Sequence, residues 1–351
     1  MSLNPAMNRR GADQGLRFVA IGGGTGLSTI LKGLKRHTVT PGAPTPSGPH
    51  VSDLTAVVTV SDDGGSSGRL RRELNMLPPG DIRNCLVAVS EDENLISKLF
   101  QHRFTSSGEL EGHSFGNLFL AALTATTGDF AVAVKKAAEI LATRGHILPA
   151  TTANVQLEAI MEDGSRVSGE TKITASEKRI TELVIVPEHP EPLPQTLRAI
   201  ADADVITIGP GSLFTSLVPN LLVRGIPEAI AGSPAVKVFI CNLMTEANES
   251  LHMKASDHIR AIYDHANRKV FDYALVNSGR VSLAMTERYA EERAEPVECD
   301  TAAIEELGVK CIARNFVEEN HFARHATDRL CRELLALGQI HRARQVTQAL
   351  R

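Results

Sequence analysis

A chain of 351 residues with 42% hydrophobic and 22% charged side chains suits one large α/β domain carrying an insertion, or two domains sharing a cleft, and excludes a disordered polypeptide. Its net charge of -4 excludes an overall electrostatic pull toward a phosphate backbone or an anionic membrane, so nucleic acid is not expected as the main partner. No apolar run reaches membrane-spanning length, and the stretch Met1 to Gly15 lacks the apolar core of a signal peptide, so a cytoplasmic protein without membrane insertion is expected. The cysteines, Cys85, Cys241, Cys299, Cys311 and Cys331, are scattered and show no CxxC spacing; they read as buried thiols rather than a disulfide framework or a zinc site.

Residues 1–16 are expected to be disordered or vector-derived, with Met7 as the native start. Residues 17–150 read as a Rossmann-like nucleotide-binding part. Arg17 to Ile21 is a short apolar run ending in glycines, after which Leu27, Ile30, Leu31 and Leu34 recur at helical spacing. Pro41 to His50 reads as a mobile surface loop, and Leu54 to Val60 as a buried strand of the parallel type. Ile82, Cys85, Leu86 and Val89 again have helical spacing, with Asp81 placed to cap that helix; Asn117 to Ala125 and Asp129 to Leu141 are two more helices. Residues 151–187 form a small β-rich insertion, with a hairpin around Asp163-Gly164 and a strand over Glu182 to Val186. Residues 188–351 return to α/β texture and complete the same fold. The spacing predicts helix Gln195 to Ala201, strands Val205 to Ile208, Val236 to Ile240 and Tyr273 to Val276, helix Ser256 to His265 and a closing helix Asp328 to Gln348. The fold class expected is therefore α/β, a Rossmann-like, mostly parallel sheet with flanking helices and a β insertion.

Four loops combine small residues with charge. Gly22 to Gly26 (GGGTG) lies between a strand and a helix, where the free N–H groups of Gly23, Gly24, Thr25 and Gly26 and the helix dipole favour an anion; it is neither GxGxxG nor a P-loop. In Ser61 to Leu70 (SDDGGSSGRL), Asp62 and Asp63 are candidates for a divalent metal, for a ribose or for catalysis. Gly64, Gly65, Ser66 and Ser67 supply amides and hydroxyls there, and Arg69 a guanidinium for phosphate oxygens. Asp81, Arg83 and Asn84 open the next helix, and His113, Phe115, Gly116 and Asn117 come from GHSFGN, with His113 a candidate proton donor or phosphate ligand. Gly209, Pro210, Gly211 and Ser212 (GPGS) repeat the strand-glycine-helix arrangement, so that the two glycine loops face one crevice at a switch in strand order. The competing reading of each loop is a tight turn or a helix cap.

Taken together, AIGGGTGLS, VTVSDDGGSSGRLRREL, LPPGDIRNCLVA, GHSFGNL and ITIGPGSLFTSLVPNLLV resemble the gluconeogenesis factor (YvcK-like) branch of the 2-phospho-L-lactate transferase (CofD-like) family. For the transferase branch the resemblance implies a magnesium-dependent transfer of a phospholactyl-type group from a guanosine diphosphate carrier to a deazaflavin alcohol. For the gluconeogenesis factor branch it implies binding of uridine-diphosphate sugars and a role in cell shape and growth on gluconeogenic carbon sources. The SDDGGSSGRL and PPGDIRN forms side with the second branch. Asp62 and Asp63 match the paired aspartates of both, and Arg324 is added to the binding residues by the same resemblance. Members of the family often carry an aromatic just before the ASDH segment, where this chain has Met253 and Lys254.

Three functions follow as alternatives. The first is a regulator that binds a nucleotide or nucleotide sugar, with or without self-association into a homo-oligomer. The second is a magnesium-dependent transferase using the same pocket. The third, a dinucleotide-dependent oxidoreductase, rests on the first strand-helix-strand unit alone and is opposed by the missing third glycine.

Overall fold

The computed structural model describes residues 15–39, 48–91, 95–105 and 107–349. Most of the loop Pro41 to His50, and the segment before Gly15, lie outside the described residues. Seven parallel strands form the central sheet: β1 (Leu16–Gly22), β2 (Val51–Val58), β3 (His146–Pro149), then, after an insertion, β7 (Val205–Ile208), β8 (Val236–Ile240), β9 (Tyr273–Asn277) and β10 (Lys310–Arg314). The inserted stretch supplies β4 (Gln156–Met161), β5 (Arg166–Ser168) and β6 (Ile180–Val186), an antiparallel sheet of its own in the order β5-β4-β6. A last hairpin, β11 (Val317–Glu319) and β12 (Ala323–His325), follows the central sheet.

Val19, Ala20, Ile21, Val57, Val58, Ile206 and Ile208 are all but inaccessible, because helices cover both faces of the sheet. This is why these strands read as unbroken apolar runs rather than alternating ones. The order β10-β9-β8-β7-β1-β2-β3 means that the chain winds outward from β1 to β3, returns to the other side of β1 as β7, and winds outward again. The strand order thus reverses between β1 and β7, and the loops after those two strands leave the sheet side by side at its carboxyl edge.

Glycine makes the close approaches at this edge. A Cβ on Gly26 would lie 2.3 Å from the carbonyl oxygen of Pro210, so the two glycine loops touch backbone to backbone. On the far side of the molecule, Gly33 admits Thr327 and Cys331, and Gly338 admits Val205 and Leu16. The closing helix Thr327–Ala349 is thereby seated on helix Gly24–Lys35 and on the central strands. Asp204 pins the opposite end of the sheet, accepting from the Arg17 backbone N–H at 2.9 Å and from Arg342 at 2.8 Å.

The sequence expectation of a mostly parallel α/β sheet with flanking helices is what the chain forms, and the antiparallel sheet occupies the stretch expected to be β-rich. The elements it did not anticipate are short or exposed. β3 has four residues, and the edge strand β10 (KCIAR) carries no apolar run because most of it faces solvent or is half-buried. The second strand ends at Val58, and Asp129 is the N-cap of helix Phe130–Ile140, accepting from Val132 N–H at 2.8 Å. Of the cysteines, Cys85, Cys241 and Cys331 are buried, whereas Cys299 and Cys311 are half-buried, a correction to the expectation for those two; all five are free thiols.

Because Gly26 meets backbone and not a flexible side chain, Gly26→Ala is expected to destabilise the protein by about 1–3 kcal/mol in urea unfolding. Gly232→Ala, where a Cβ meets nothing within 4 Å, is expected to be neutral or slightly stabilising.

Candidate functional site

A cleft of about 420 Å³ opens where the strand order reverses. Gly23 to Gly26 and Thr29 form one wall, Pro210 to Ser212 and Ser216 the next, and Asn242 to Glu246, the loop after β8, the floor beyond them. Tyr289 and the hairpin residues Phe322 to His325 close the outer side. The crevice expected between the two glycine loops is present, and Arg324 stands in it, with its guanidinium 5.8 Å from the centre of the exposed Phe322 ring. Met253 and Lys254 are not among the residues lining the cleft; Lys254 pairs with Glu298 at 2.8 Å.

Both helix N-termini at this edge are met by carboxylates of the protein itself. Helix Gly24–Lys35 has Gly23 as N-cap and no capping side chain of its own; Asp81 reaches in from the neighbouring helix and accepts from the Gly24 N–H. Asp81 therefore caps a helix other than the one expected: helix Gly80–Val89 has Pro79 as N-cap and no side-chain cap. A Cβ at Gly23 would lie 2.7 Å from the Asp81 carboxylate, which is why the position is glycine. At the second loop Glu249 accepts from the N–H groups of Phe214 and Thr215 at 2.9 and 3.3 Å and from the Thr215 hydroxyl at 2.6 Å. Asn242 clasps Gly211 through both its N–H and its C=O, and Ser212 donates to Glu246 at 3.0 Å. Several donors of the GPGS loop are thus already used, while the N–H groups of Thr25 and Gly26 have no acceptor among the described residues.

The SDDGGSSGRL segment is built differently from the open anion loop that its composition suggested. Helix Gly65–Leu74 begins inside it, so Ser66 and Ser67 are buried in a first turn rather than displayed with Gly64 and Gly65 on a loop. The two aspartates diverge. Asp62 accepts from the Gly64 N–H at 2.8 Å, whereas Asp63 accepts from the Thr171 N–H and hydroxyl at 2.9 and 2.7 Å and so ties the β insertion to the main body. With Asp63 committed to Thr171, the pair does not fit a metal ion held between them, and among the described residues no group of three or more His, Cys, Asp or Glu side chains is arranged to hold one.

Most of the remaining expected binding residues form a buried polar network beside the cleft instead of lining it. Arg83 donates to Ser114 at 2.5 Å, to Asn117 at 3.2 Å and to Asn84 at 2.7 Å; Asn117 donates to Ser66, whose hydroxyl lies 3.0 Å from His113 Nδ1. Ser66 accepts from Asn117, and in its contact with His113 Nδ1 either atom can be the donor. Burial together with the nearby Arg69 lowers the histidine pKa and so favours the neutral ring. Arg69 donates to the Glu111 carbonyl, Phe115 packs edge-on against Phe100, and a Cβ at Gly116 would meet Phe100 backbone and Arg83. These residues staple three helices together.

Sequence reasoning missed Asn242, Glu246 and Glu249, although the strand-loop rule applied after β8 points to that loop, and it missed Glu170, Tyr289 and Phe322, which carry no spacing signal. Glu170 opens a short helix of the insertion, where burial and then Asp62, Asp81, Asp63 and Glu249 push its pKa up to about 9. Burial likewise raises Asp81 to about 6, with Asp62 adding to the shift, and raises Glu249 to about 7, with Glu246 adding to it. Perturbed carboxyls that converge beside a cleft make this edge of the sheet the candidate functional one.

A carboxyl whose pKa is higher in the folded chain binds a proton that the unfolded chain has released, so its share of stability is intact at low pH and is lost as pH rises through the folded value. The melting temperature is therefore expected to fall between pH 6 and pH 9. Glu170→Gln should raise it by about 2 °C or more at pH 8, the shift about 1 kcal/mol produces in a chain of this size, and leave it unchanged at pH 5, as scanning calorimetry would read.

The model of the 2-phospho-L-lactate transferase CofD family matches residues 18–317. The gluconeogenesis factor of Bacillus subtilis is 46% identical over 322 residues, spanning 92% of this chain and 98% of that one; its counterpart in Listeria monocytogenes is 41% identical over 322 residues, spanning 92% and 95%. A crystal structure of a Bacillus halodurans protein superposes with a TM-score of 0.86 at 46% identity, covering 92% of this chain and all of that one. Matched over nearly its whole length in both sequence and fold, the chain belongs to the 2-phospho-L-lactate transferase (CofD) family and, within it, to the gluconeogenesis factor branch.

Proposed function

We propose that the cleft binds a uridine-diphosphate sugar and that the protein acts as a receptor for it, regulating cell shape and growth on gluconeogenic carbon sources in the cytoplasm. One observation carries this reading. The open N–H groups of Thr25 and Gly26 and the guanidinium of Arg324 face one 420 Å³ cleft at the strand reversal, with Tyr289 and Phe322 beside them. Amides at a helix N-terminus and an arginine are the groups a diphosphate needs, and an aromatic ring offers a stacking face for a base. The volume suits a small ligand. The gluconeogenesis factors it resembles supply the physiological role.

A second reading, a transferase, is favoured by the Ser212–Glu246 contact at 3.0 Å inside the cleft. Burial raises the Glu246 pKa, which suits a carboxyl exchanging a proton with a hydroxyl. Against it stands the same bond, in which Ser212 is held beside Asn242 and the glycine loop as part of the wall.

Calorimetric titration with uridine-diphosphate sugars is expected to show binding. Arg324→Ala should weaken it by about 1–3 kcal/mol, the range for losing a charge-assisted hydrogen bond. Arg69→Ala, whose side chain bonds the Glu111 carbonyl away from the cleft, should change affinity by less than about 0.5 kcal/mol. Equal losses for the two variants would refute the placement of the ligand. Incubation with the nucleotide sugar, magnesium and a deazaflavin acceptor, followed by mass spectrometry, should return the ligand intact; sustained turnover that Glu246→Gln abolishes would establish the transferase instead.

A further inference from the structure

The five cysteines are not equally placed. Cys85 and Cys331 are buried singly in the core, and no other thiol contributes to the shifts of their pKa values. Cys241, Cys299 and Cys311 gather at one point instead. Cys241 follows β8, Cys311 is the second residue of the edge strand β10, and Cys299 lies in the segment that leads into helix Thr301–Glu306. The Thr301 hydroxyl stands between the last two, 3.6 Å from Cys299 Sγ and donating to Cys311 Sγ at 3.7 Å. Burial pushes the Cys311 thiol up to about 11 against the opposing Thr301 bond, and Cys299, hydrogen-bonded to it, adds to the rise. Burial, then Cys299, Asp300 and Cys311, raise the pKa of Cys241 as well.

A thiol filling a gap in the core as a small apolar group is the ordinary use of cysteine, and it accounts for Cys85 and Cys331. It does not account for two half-buried thiols turned to the same hydroxyl and to each other. Nor are the three neighbouring thiols arranged to hold a metal ion. The chain beside Cys299 runs along the floor of the cleft. Thr245 N–H donates to the Glu295 carbonyl at 2.7 Å, Val297 N–H donates to the Leu243 carbonyl at 3.0 Å, and Met244 bridges Pro296. Leu243, Met244 and Thr245 all line the cleft. On its other side the same segment is held by the Ala255 N–H, which donates to the Glu298 carbonyl at 3.0 Å.

We propose that Cys299 and Cys311 are a redox-active pair that a peroxide closes to a disulfide, and that closure fastens the floor of the cleft to the edge strand β10. The Cys299 sulfur attacks the O–O bond of hydrogen peroxide and becomes a sulfenic acid as one water leaves. The Cys311 sulfur then attacks the Cys299 sulfur, the S–O bond breaks, and the hydroxyl departs with the Cys311 proton as a second water. The two thiols lose two electrons and the peroxide gains them. Cys311 is the resolving member because its thiol stays protonated near neutral pH and is the slower to meet the oxidant. The inference is independent of what the cleft binds.

The test treats the full, folded chain with hydrogen peroxide, blocks the remaining thiols by alkylation and maps the tryptic peptides by mass spectrometry without reduction. Trypsin cuts after Arg293, Lys310 and Arg314, so the link is read as residues 294–310 joined to 311–314, from chains that run as monomers on a non-reducing gel, and is lost on reduction. Backbone hydrogen exchange over residues 242–246 should slow by about tenfold or more once the link has formed. It should not slow in peroxide-treated Cys311→Ser or Cys299→Ser, two variants at half-buried positions, either of which serves if the other folds poorly. A wild-type chain left with both thiols free, or linked through Cys241 or between two molecules, would overturn the pair. A correctly linked chain whose floor exchanges as fast as the reduced one would overturn its coupling to the cleft.

Discussion

The contact on which the site depends is the one between two loops of main chain: Gly26 against the carbonyl of Pro210, with less room than a methyl group requires. It exists because the strand order reverses between β1 and β7, which brings the loops after them out of the sheet as neighbours. Main chain packed on main chain leaves N–H groups at the helix N-termini with no room for side chains of their own loops to cap them. The protein answers with carboxylates brought from a distance, Asp81 to the first helix and Glu249 to the second. Thr25 and Gly26, whose N–H groups have no acceptor among the described residues, line the cleft.

That solution has an electrostatic consequence. Asp81 and Glu249 come to the same edge as Asp62, Asp63, Glu170 and Glu246, and burial together with mutual repulsion raises the pKa of Asp81, Glu170 and Glu249. Held together as anions, these carboxylates would repel one another and weaken the fold at this edge. Near neutral pH the proton held on Glu170, and in part the one on Glu249, relieves that repulsion, and Arg324, on the hairpin at the mouth, gives the cleft a positive group. The stability of this edge is thus linked to pH through the same carboxyls.

Helix Gly24–Lys35 runs from this edge toward the other end of the sheet. Its N-terminal amides face the cleft and its last turn carries Lys32 and Lys35, so it is aligned with its positive dipole end toward the cleft and its negative end among cations. Gly33 lets the closing helix Thr327–Ala349 lie directly on it, and this helix in turn follows the hairpin that carries Phe322 and Arg324. The elements on either side of the cleft are therefore one packed unit.

What the sequence determined by itself was the architecture and the place of the two glycine loops. Apolar runs such as Arg17 to Ile21 and Val205 to Ile208, each followed by glycines and a helical pattern, specify buried parallel strands, because only strands covered on both faces are apolar throughout. The same pattern located both glycine loops, and the long motifs were enough to recognise the family. The tertiary structure decided which charged and polar residues reach the cleft. Arg69, Arg83, His113 and Asn117 sit in motifs rich in functional residue types, yet they hold helices together, since a polar side chain that becomes buried must find partners and these found one another. Asp63 capping a helix more than a hundred residues away, and Glu170, Tyr289 and Phe322 gathering at the edge of the sheet, are products of long-range packing, which no local spacing encodes.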